Sequence, residues 1–260
     1  METENLICPV CFGECSLFDV VDFNKSCQEI NGKYFHLSGV PIYYARCAAC
    51  GFCFAPEFST LSPEEFRAWI YNDEYILVDP GYVEARPREN AAGLLSLFPH
   101  LPPSVKHLDY GSGNGLLANL LRESNWNSVS YDPLLDKDVS VERLGKYDLI
   151  TAIEVFEHVP DVQKLMSDLR LLLSPDGLVL FSTLLSDGNI HANQRLAWWY
   201  ASPRNGHISL FSKKSLEILA KGQTPNARWN FTSFSEDAHA FYTSVPSWAK
   251  YIKRPDAAVT

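Results

Sequence analysis

The chain has 260 residues, room for one full α/β domain and a small module beside it, and its 46% hydrophobic and 20% charged content is that of an ordinary globular protein. A formal net charge of -9 argues against a sequence-independent grip on nucleic acid, which needs clustered positive charge. No apolar run reaches the ~20 residues that span a bilayer, so no membrane partner is expected. Met1-Glu2-Thr3-Glu4-Asn5 lacks the basic start and apolar core of a signal peptide. Seven cysteines, an odd number, in an unexported chain point to thiols or metal ligands, and the expected compartment is the cytoplasm.

In chain order, Cys8-Pro9-Val10-Cys11 opens the sequence and Cys47-Ala48-Ala49-Cys50-Gly51 answers it after 35 intervening residues. Two Cys-x-x-Cys pairs place four thiolates on one cation, and the insert between them holds two candidate strands, Tyr34-Phe35-His36-Leu37 and Ile42-Tyr43-Tyr44-Ala45. A zinc-ribbon-like module over residues 1–60 is expected, with Cys8, Cys11, Cys47 and Cys50 as ligands; the alternative is four reduced thiols or a redox pair. Four sulfur ligands leave no open position, so this zinc would be structural. Cys15 and Cys53 stand close enough to substitute as ligands, and Cys27 reads as a bystander.

Residues 61–103 read as a helical linker or lid. Ser62-Pro63-Glu64-Glu65 is a capping box with proline at the first helical position, and a second helix is expected from near Tyr82 to Phe98. Tyr75 and Arg86 are candidates to close over a cofactor, with plain core packing as the alternative.

A third domain is expected over residues 104–244, with residues 245–260 as a tail. Its first strand runs from Val105 into Asp109-Tyr110-Gly111-Ser112-Gly113-Asn114-Gly115, followed at once by an apolar helical pattern from Leu116. Glycine accepts a positive φ and lets backbone approach a ligand closely. A phosphate-binding loop would need Gly-Lys-Ser/Thr and a dinucleotide fingerprint would need glycine at position 116; Leu116-Leu117 satisfies neither. A second strand ends on Asp132, 23 residues after Asp109, where nucleotide-binding α/β folds place an acid on the ribose hydroxyls; an Asp before Pro133 is otherwise a turn residue.

The acidic-x-Gly-x-Gly-x-Gly turn resembles motif I of the Rossmann-like S-adenosylmethionine-dependent methyltransferases. Tyr147-Asp148-Leu149-Ile150 leading into Glu154-Val155-Phe156-Glu157-His158-Val159 is similar to a second signature of that superfamily, and Pro175-Asp176-Gly177 to its lead-in to a fifth strand. The resemblance implies an α/β, doubly wound, seven-stranded sheet with an antiparallel last strand, formed here by Trp229–Phe234 and His239–Tyr242. It also implies S-adenosylmethionine as cofactor. Asp109, Gly111, Gly113 and Gly115 would receive its methionine moiety, Asp132 its ribose, and residues 153–155 including Glu154 would flank one end. A neutral histidine is the natural base for a hydroxyl or activated carbon acceptor. His158 and His207 are the candidates, with Glu157 and Tyr200 behind them; His158 is alternatively a helix cap. A magnesium-assisted variant would draw on Glu154, Glu157 and His158, but Val159 stands where a second histidine would complete it, so none is expected there.

The order of modules from Cys8 to about Thr183 is also similar to the deoxysugar C-methyltransferases, whose further carboxy-terminal domain has no counterpart before Thr260. The expected activity is methyl transfer to oxygen or carbon of a small-molecule or carbohydrate acceptor. The competing expectations are an RNA-modifying methyltransferase, against which the net charge weighs, and a non-catalytic protein whose zinc module is a docking surface.

Overall fold

A computed structural model describes residues 6–222 and 228–249. Residues 1–5, and residues 250–260 of the expected tail, lie outside the described residues. In chain order the elements are β1 (Leu6–Ile7), β2 (Glu14–Asp22), β3 (Pro41–Cys47), β4 (Cys53–Phe54), α1 (Pro63–Ile70), α2 (Tyr75–Val78), α3 (Ala85–Leu97), β5 (Lys106–Tyr110), α4 (Leu116–Glu123), β6 (Asn127–Tyr131), β7 (Tyr147–Ala152), α5 (Val162–Leu172), β8 (Leu173–Ser182), β9 (Ser209–Leu210), α6 (Lys213–Lys221), β10 (Asn230–Ser233) and β11 (Ala238–Tyr242).

The chain forms two compact units that do not follow the contiguous ranges expected from sequence. Unit 1 comprises residues 1–80, 156–165 and 184–219; unit 2 comprises 81–155, 166–183 and 220–260. The expected 61–103 segment is divided between them, α1 and α2 belonging to unit 1 and α3 to unit 2.

Unit 2 carries a sheet of order β10-β11-β8-β7-β5-β6. Pairing is parallel from β6 through β5 and β7 to β8, and β11 runs antiparallel to β8, as expected of the last strand. The chain departs from β5 to β6 on one side and returns to β7 on the other, so the order reverses between β5 and β7, where ligands of open α/β sheets bind beyond the carboxyl ends of the strands. The described sheet has six strands, not seven. The segment between β6 and β7 offers no alternating apolar face: Leu135 and Val139 are exposed, and the stretch closes into turns and a single 3-10 turn at Val141–Arg143. One face of the sheet packs Leu149, Leu178, Leu180 and Ala240 with Leu94 and Phe98 of the α3 segment and with Leu117 and Leu121 of α4.

Unit 1 carries a second sheet, order β1-β2-β3-β4-β9, antiparallel throughout. The expected strand at Tyr34–Leu37 is not one; Tyr34 and Leu37 are 72% and 83% exposed. Its loop is held by side chains instead. The Asp22 carboxylate accepts from the amides of Asn24, Ser38 and Gly39, and Asn24 Nδ2 donates to the His36 carbonyl, so the backbone is satisfied without a ladder. The partner of β3 is β2, which had not been expected as a strand, with a bulge between Leu17 and Asp19. The capping box forms as read: Ser62 Oγ accepts from Glu65 N at 3.2 Å and Ser62 N donates to Glu65 Oε2 at 2.8 Å. Among the described residues no helix is long and apolar enough to cross a membrane.

Phe98 is fully enclosed, its ring edge-on to Trp126 at 6.0 Å. Phe98→Ala should therefore cost about 3–5 kcal/mol of stability in a urea melt, the usual range for deleting a buried aromatic. A loss under ~1 kcal/mol would show that this cluster does not hold unit 2 together.

Candidate active site

In unit 2 the turn after β5 is built from three glycines with φ of 74°, 52° and 75° at Gly111, Gly113 and Gly115. A Cβ on Gly111 would stand 2.5 Å from Val155 Cγ2, so the turn can lie against the end of β7 only with no side chain there. A Cβ on Gly113 would meet nothing within 4 Å, so the loop's middle faces open space. The Gly113 amide donates to Asp132 Oδ2 at 2.9 Å, while the other carboxylate oxygen accepts from Leu134 N at 2.8 Å. The structure thus brings Asp132 to the glycine turn, as the 23-residue spacing suggested. Burial pushes the Asp132 carboxyl above its ordinary value, opposed by these backbone donors.

Asp109 lies beneath the turn, enclosed at the end of a four-residue hydrogen-bond chain. Thr151 Oγ1 donates to Asp109 Oδ1 at 3.0 Å, His107 Nε2 meets Thr151 Oγ1 at 3.0 Å, and His107 Nδ1 meets Ser128 Oγ at 2.7 Å. Because the one Thr151 proton goes to the carboxylate, His107 must donate from Nε2 and accept at Nδ1. Burial holds His107 neutral, its pKa lowered to about 3. The Asp109 carboxyl is pushed up to about 7, by burial first and then by the nearby charge of Asp132. Asp109 is thus part of the floor of the turn, not of its open side.

Glu154 follows β7 with φ 57°, a strained value for a residue with a side chain, and its amide donates to Ser182 Oγ at 2.8 Å. Its carboxylate pairs with Arg86 Nη1 at 3.2 Å; both side chains are over a third exposed, so the pair adds little stability. The structure thus joins two of the sequence candidates, Arg86 and Glu154. Tyr75 belongs to unit 1, where it is buried and its hydroxyl donates to the Asn205 carbonyl at 3.3 Å.

Unit 1 contains two clusters of metal-ligating side chains. In the first, the sulfurs of Cys8, Cys11, Cys47 and Cys50 all lie within 4.8 Å of one another, with Cys8–Cys50 at 3.6 Å and Cys11–Cys47 at 3.4 Å. These separations are too long for disulfides and close to the ~3.8 Å between thiolates that share a tetrahedral ion at ~2.3 Å. Each pair sits on a tight knuckle. Phe12 N donates to Cys8 O and Gly51 N to Cys47 O, both at 2.9 Å, with Phe12 and Gly51 at positive φ. Amides of Val10 and Cys11 point at the Cys8 sulfur, that of Gly13 at Cys11 and that of Phe52 at Cys50. The hydrogen bond with the Cys50 thiol draws the Cys8 thiol below its ordinary value. The donor set and its amides fit a bound cation. Cys15 lies opposite Cys47 on β2, and Cys53 is buried in β4.

The second cluster is Glu157, His158 and His207, whose ligand atoms also lie within 4.8 Å of one another. Glu157 and His207 are buried, and the imidazole rings of His158 and His207 are 4.8 Å apart. Tyr200 OH donates to Glu157 Oε1 at 2.6 Å, and His207 Nδ1 donates to the Tyr200 carbonyl at 2.9 Å. The strip carrying Tyr200 and His207 is clamped from the amino-terminal part of unit 1. Lys25 Nζ donates to the Trp198 and Ala201 carbonyls at 2.8 Å each, Tyr44 OH donates to the His207 carbonyl at 2.7 Å, and Arg204 donates to Ile70 O at 3.0 Å. Lys25, Tyr44 and Arg204 were not legible as site residues, because buried polar groups that tie distant segments leave no local pattern. Cys27, read as a bystander, places its sulfur 3.6 Å from His207 Nδ1.

Residues 82–223, more than half of the chain, match the family model described as a methyltransferase domain. Among curated relatives, the ubiquinone biosynthesis O-methyltransferase of Acinetobacter baumannii (strain AYE) is 27% identical over 30% of this chain and 44% of that protein. That of Colwellia psychrerythraea is 31% identical over 32% of this chain and 34% of that protein. The chain thus spans less than half the length of the curated relatives it matches. Among solved structures, an O-methyltransferase family protein from Burkholderia thailandensis has 11% identity and a TM-score of 0.46, covering 69% of this chain and 64% of that one. The plantazolicin methyltransferase BpumL, solved with a desmethylPZN analog and SAH, has 14% identity and a TM-score of 0.47, covering 72% and 97%. The chain belongs to the methyltransferase-domain family.

The raised Asp109 pKa has a stability consequence of definite sign. The folded state holds this proton at pH values where the unfolded chain, with an ordinary aspartate pKa near 3.9, has released it, so stability falls as pH rises from about 4 to about 7. Asp109→Asn keeps an acceptor for Thr151 and removes the titration. Its melting temperature, relative to wild type, should be higher at pH 8 than at pH 5; an equal difference at both would show that Asp109 is not held protonated.

Proposed function

We propose that this enzyme transfers the S-adenosylmethionine methyl group to an oxygen of a small-molecule or carbohydrate acceptor, with a structural zinc in unit 1. The observation that carries the cofactor reading is the Gly113–Asp132 hydrogen bond at a turn whose glycines all sit at positive φ. It sets an acid beside bare backbone at the strand-order reversal, where α/β folds bind nucleosides. Gly111, Gly113 and Gly115 would admit the methionine moiety, Asp132 would accept from the ribose hydroxyls, and Glu154, with Arg86 on its carboxylate, would border the same end of the sheet. The cofactor supplies a sulfonium methyl group.

The acceptor hydroxyl must lose its proton, and that task is assigned to the cluster of His207, His158 and Glu157. Tyr200 orients two of its members, through its hydroxyl on Glu157 and its carbonyl on His207. An oxygen acceptor is favoured by the match to O-methyltransferases, which covers only part of each of those proteins. Cys8, Cys11, Cys47 and Cys50 would hold the zinc with no coordination position left for chemistry.

Calorimetry with S-adenosylhomocysteine and NAD side by side tests the cofactor reading. The first should bind and the second should not, and Asp132→Ala should weaken the first about 10- to 100-fold, the worth of hydrogen bonds to a charged group. Binding unchanged in the variant would remove Asp132 from the site. His207→Gln should lower kcat about 10²- to 10⁴-fold while leaving S-adenosylhomocysteine binding within a factor of about three. For the zinc, Cys47→Ser should abolish one metal equivalent on elemental analysis, and a metal content equal to wild type would refute the four-thiolate assignment.

A further inference from the structure

The Glu157–His158–His207 cluster offers one carboxylate oxygen and two imidazole nitrogens within 4.8 Å of one another. Three features arrange these groups before any ligand arrives. His207 Nδ1 donates to a carbonyl, which can only accept, so the ring's lone pair stands on Nε2. That is the outer support found around metal-bound histidines, where the second ring nitrogen is tied to a carbonyl or carboxylate. The Tyr200 hydroxyl fixes Glu157 in the same way. His158 packs against Gly206, whose φ is 85°, and a Cβ there would lie 2.9 Å from His158 Nδ1. Only glycine lets the segment bearing His207 pass that close to the His158 ring.

The second histidine, absent at Val159, is therefore supplied by His207, 48 residues further along the chain. We propose that Glu157, His158 and His207 bind one divalent transition-metal ion with open coordination positions, at which the acceptor oxygen is held and acidified. Two nitrogens and one oxygen suit zinc, cobalt or iron; magnesium, which prefers an all-oxygen shell, is a poor resident. At metal–ligand distances of about 2.1 Å the three atoms would draw in to roughly 3.0–3.4 Å of one another, a contraction that side-chain torsions can supply. One carboxylate and two neutral imidazoles leave a net single positive charge on the complex. That charge faces the open positions and stabilises an oxyanion, as when metal binding lowers the pKa of water to about 7. The acceptor O–H bond then breaks with its proton passing to solvent, the oxygen forms the new bond to the methyl carbon, and the sulfur–methyl electron pair stays on sulfur. The acidifying role rests on the reading of the reaction as transfer to oxygen; the metal site itself does not.

The full-length protein, stripped with a chelator and titrated with Co²⁺ alone, tests the site by visible absorption. Wild type should take up two equivalents, one with thiolate-to-cobalt charge-transfer bands and one without. His207→Gln and Glu157→Gln should each lose the second and retain the first, and Cys11→Ser should do the reverse. The four cysteines lie in the same unit, so a retained charge-transfer band reports that the unit is folded. Tyr200→Phe, which removes the support but no ligand, should weaken the second equivalent about 10- to 100-fold. Wild type without a thiolate-free equivalent, or ligand variants that keep it, would overturn the proposal. Binding of S-adenosylhomocysteine by the same samples reads the cofactor site separately, so a protein that takes the second cobalt but no cofactor retains the metal site and loses the methyl-transfer reading.

Discussion

The hydrogen bond from the Gly113 amide to the Asp132 carboxylate ties the end of the first parallel strand to the end of its neighbour. It depends on backbone conformations that only glycine adopts without strain, and the turn has no tolerance on its inner side, where Val155 fills the space a side chain on Gly111 would need. Beneath it, Ser128, His107, Thr151 and Asp109 form a closed polar chain linking β6, β5 and β7. All three strands that end at the candidate cofactor site are thus cross-linked by buried polar groups as well as by their ladder. Such a network fixes the relative positions of the strand ends more tightly than apolar packing alone.

Unit 1 solves a different problem. Two of its candidate side chains, Tyr200 and His207, sit on an irregular strip from Trp198 to Ile208, with little ladder structure of its own, yet nearly all of it is buried. Buried irregular backbone must find partners for its amides and carbonyls. Lys25, Tyr44 and Tyr75 provide them for its carbonyls and Arg204 of the strip donates in turn to Ile70 O, each joining residues more than 100 positions apart. Removal of any one leaves a buried carbonyl without its donor, which costs more than the bond itself contributes.

Much of unit 2 was legible because its signals are local. Alternation and apolar runs gave the strands at Lys106–Tyr110, Tyr147–Ala152 and Ala238–Tyr242 to within about two residues, and the glycine spacing with Asp132 gave the turn. The missing strand between β6 and β7 was supplied by family expectation, against a segment with no alternating face. In unit 1 the cysteine pairs were legible from spacing, and the four sulfurs do converge. The strand expected at Tyr34–Leu37 was an apolar run with no partner, whereas Glu14–Asp22, with its bulge and mixed pattern, became the longest strand of that sheet. The grouping of His207 with Glu157 and His158 was beyond reach, since no pattern links positions 50 residues apart. The sequence offered each as a candidate and only the fold sets them together.

Unit 1 is assembled from three stretches of chain, the last of which ends at residue 219. The outer edge of β4 is covered by β9, more than 150 residues downstream, and the Tyr44 hydroxyl likewise waits for residue 207. At about 5–20 residues per second, a nascent chain carries that edge uncovered for roughly 8–30 s. The four clustered cysteines, by contrast, all emerge within the first 50 residues, before either waiting partner has been synthesised. A cation captured there would pin the early hairpins together through the interval in which an open strand edge is most exposed to pairing with another chain.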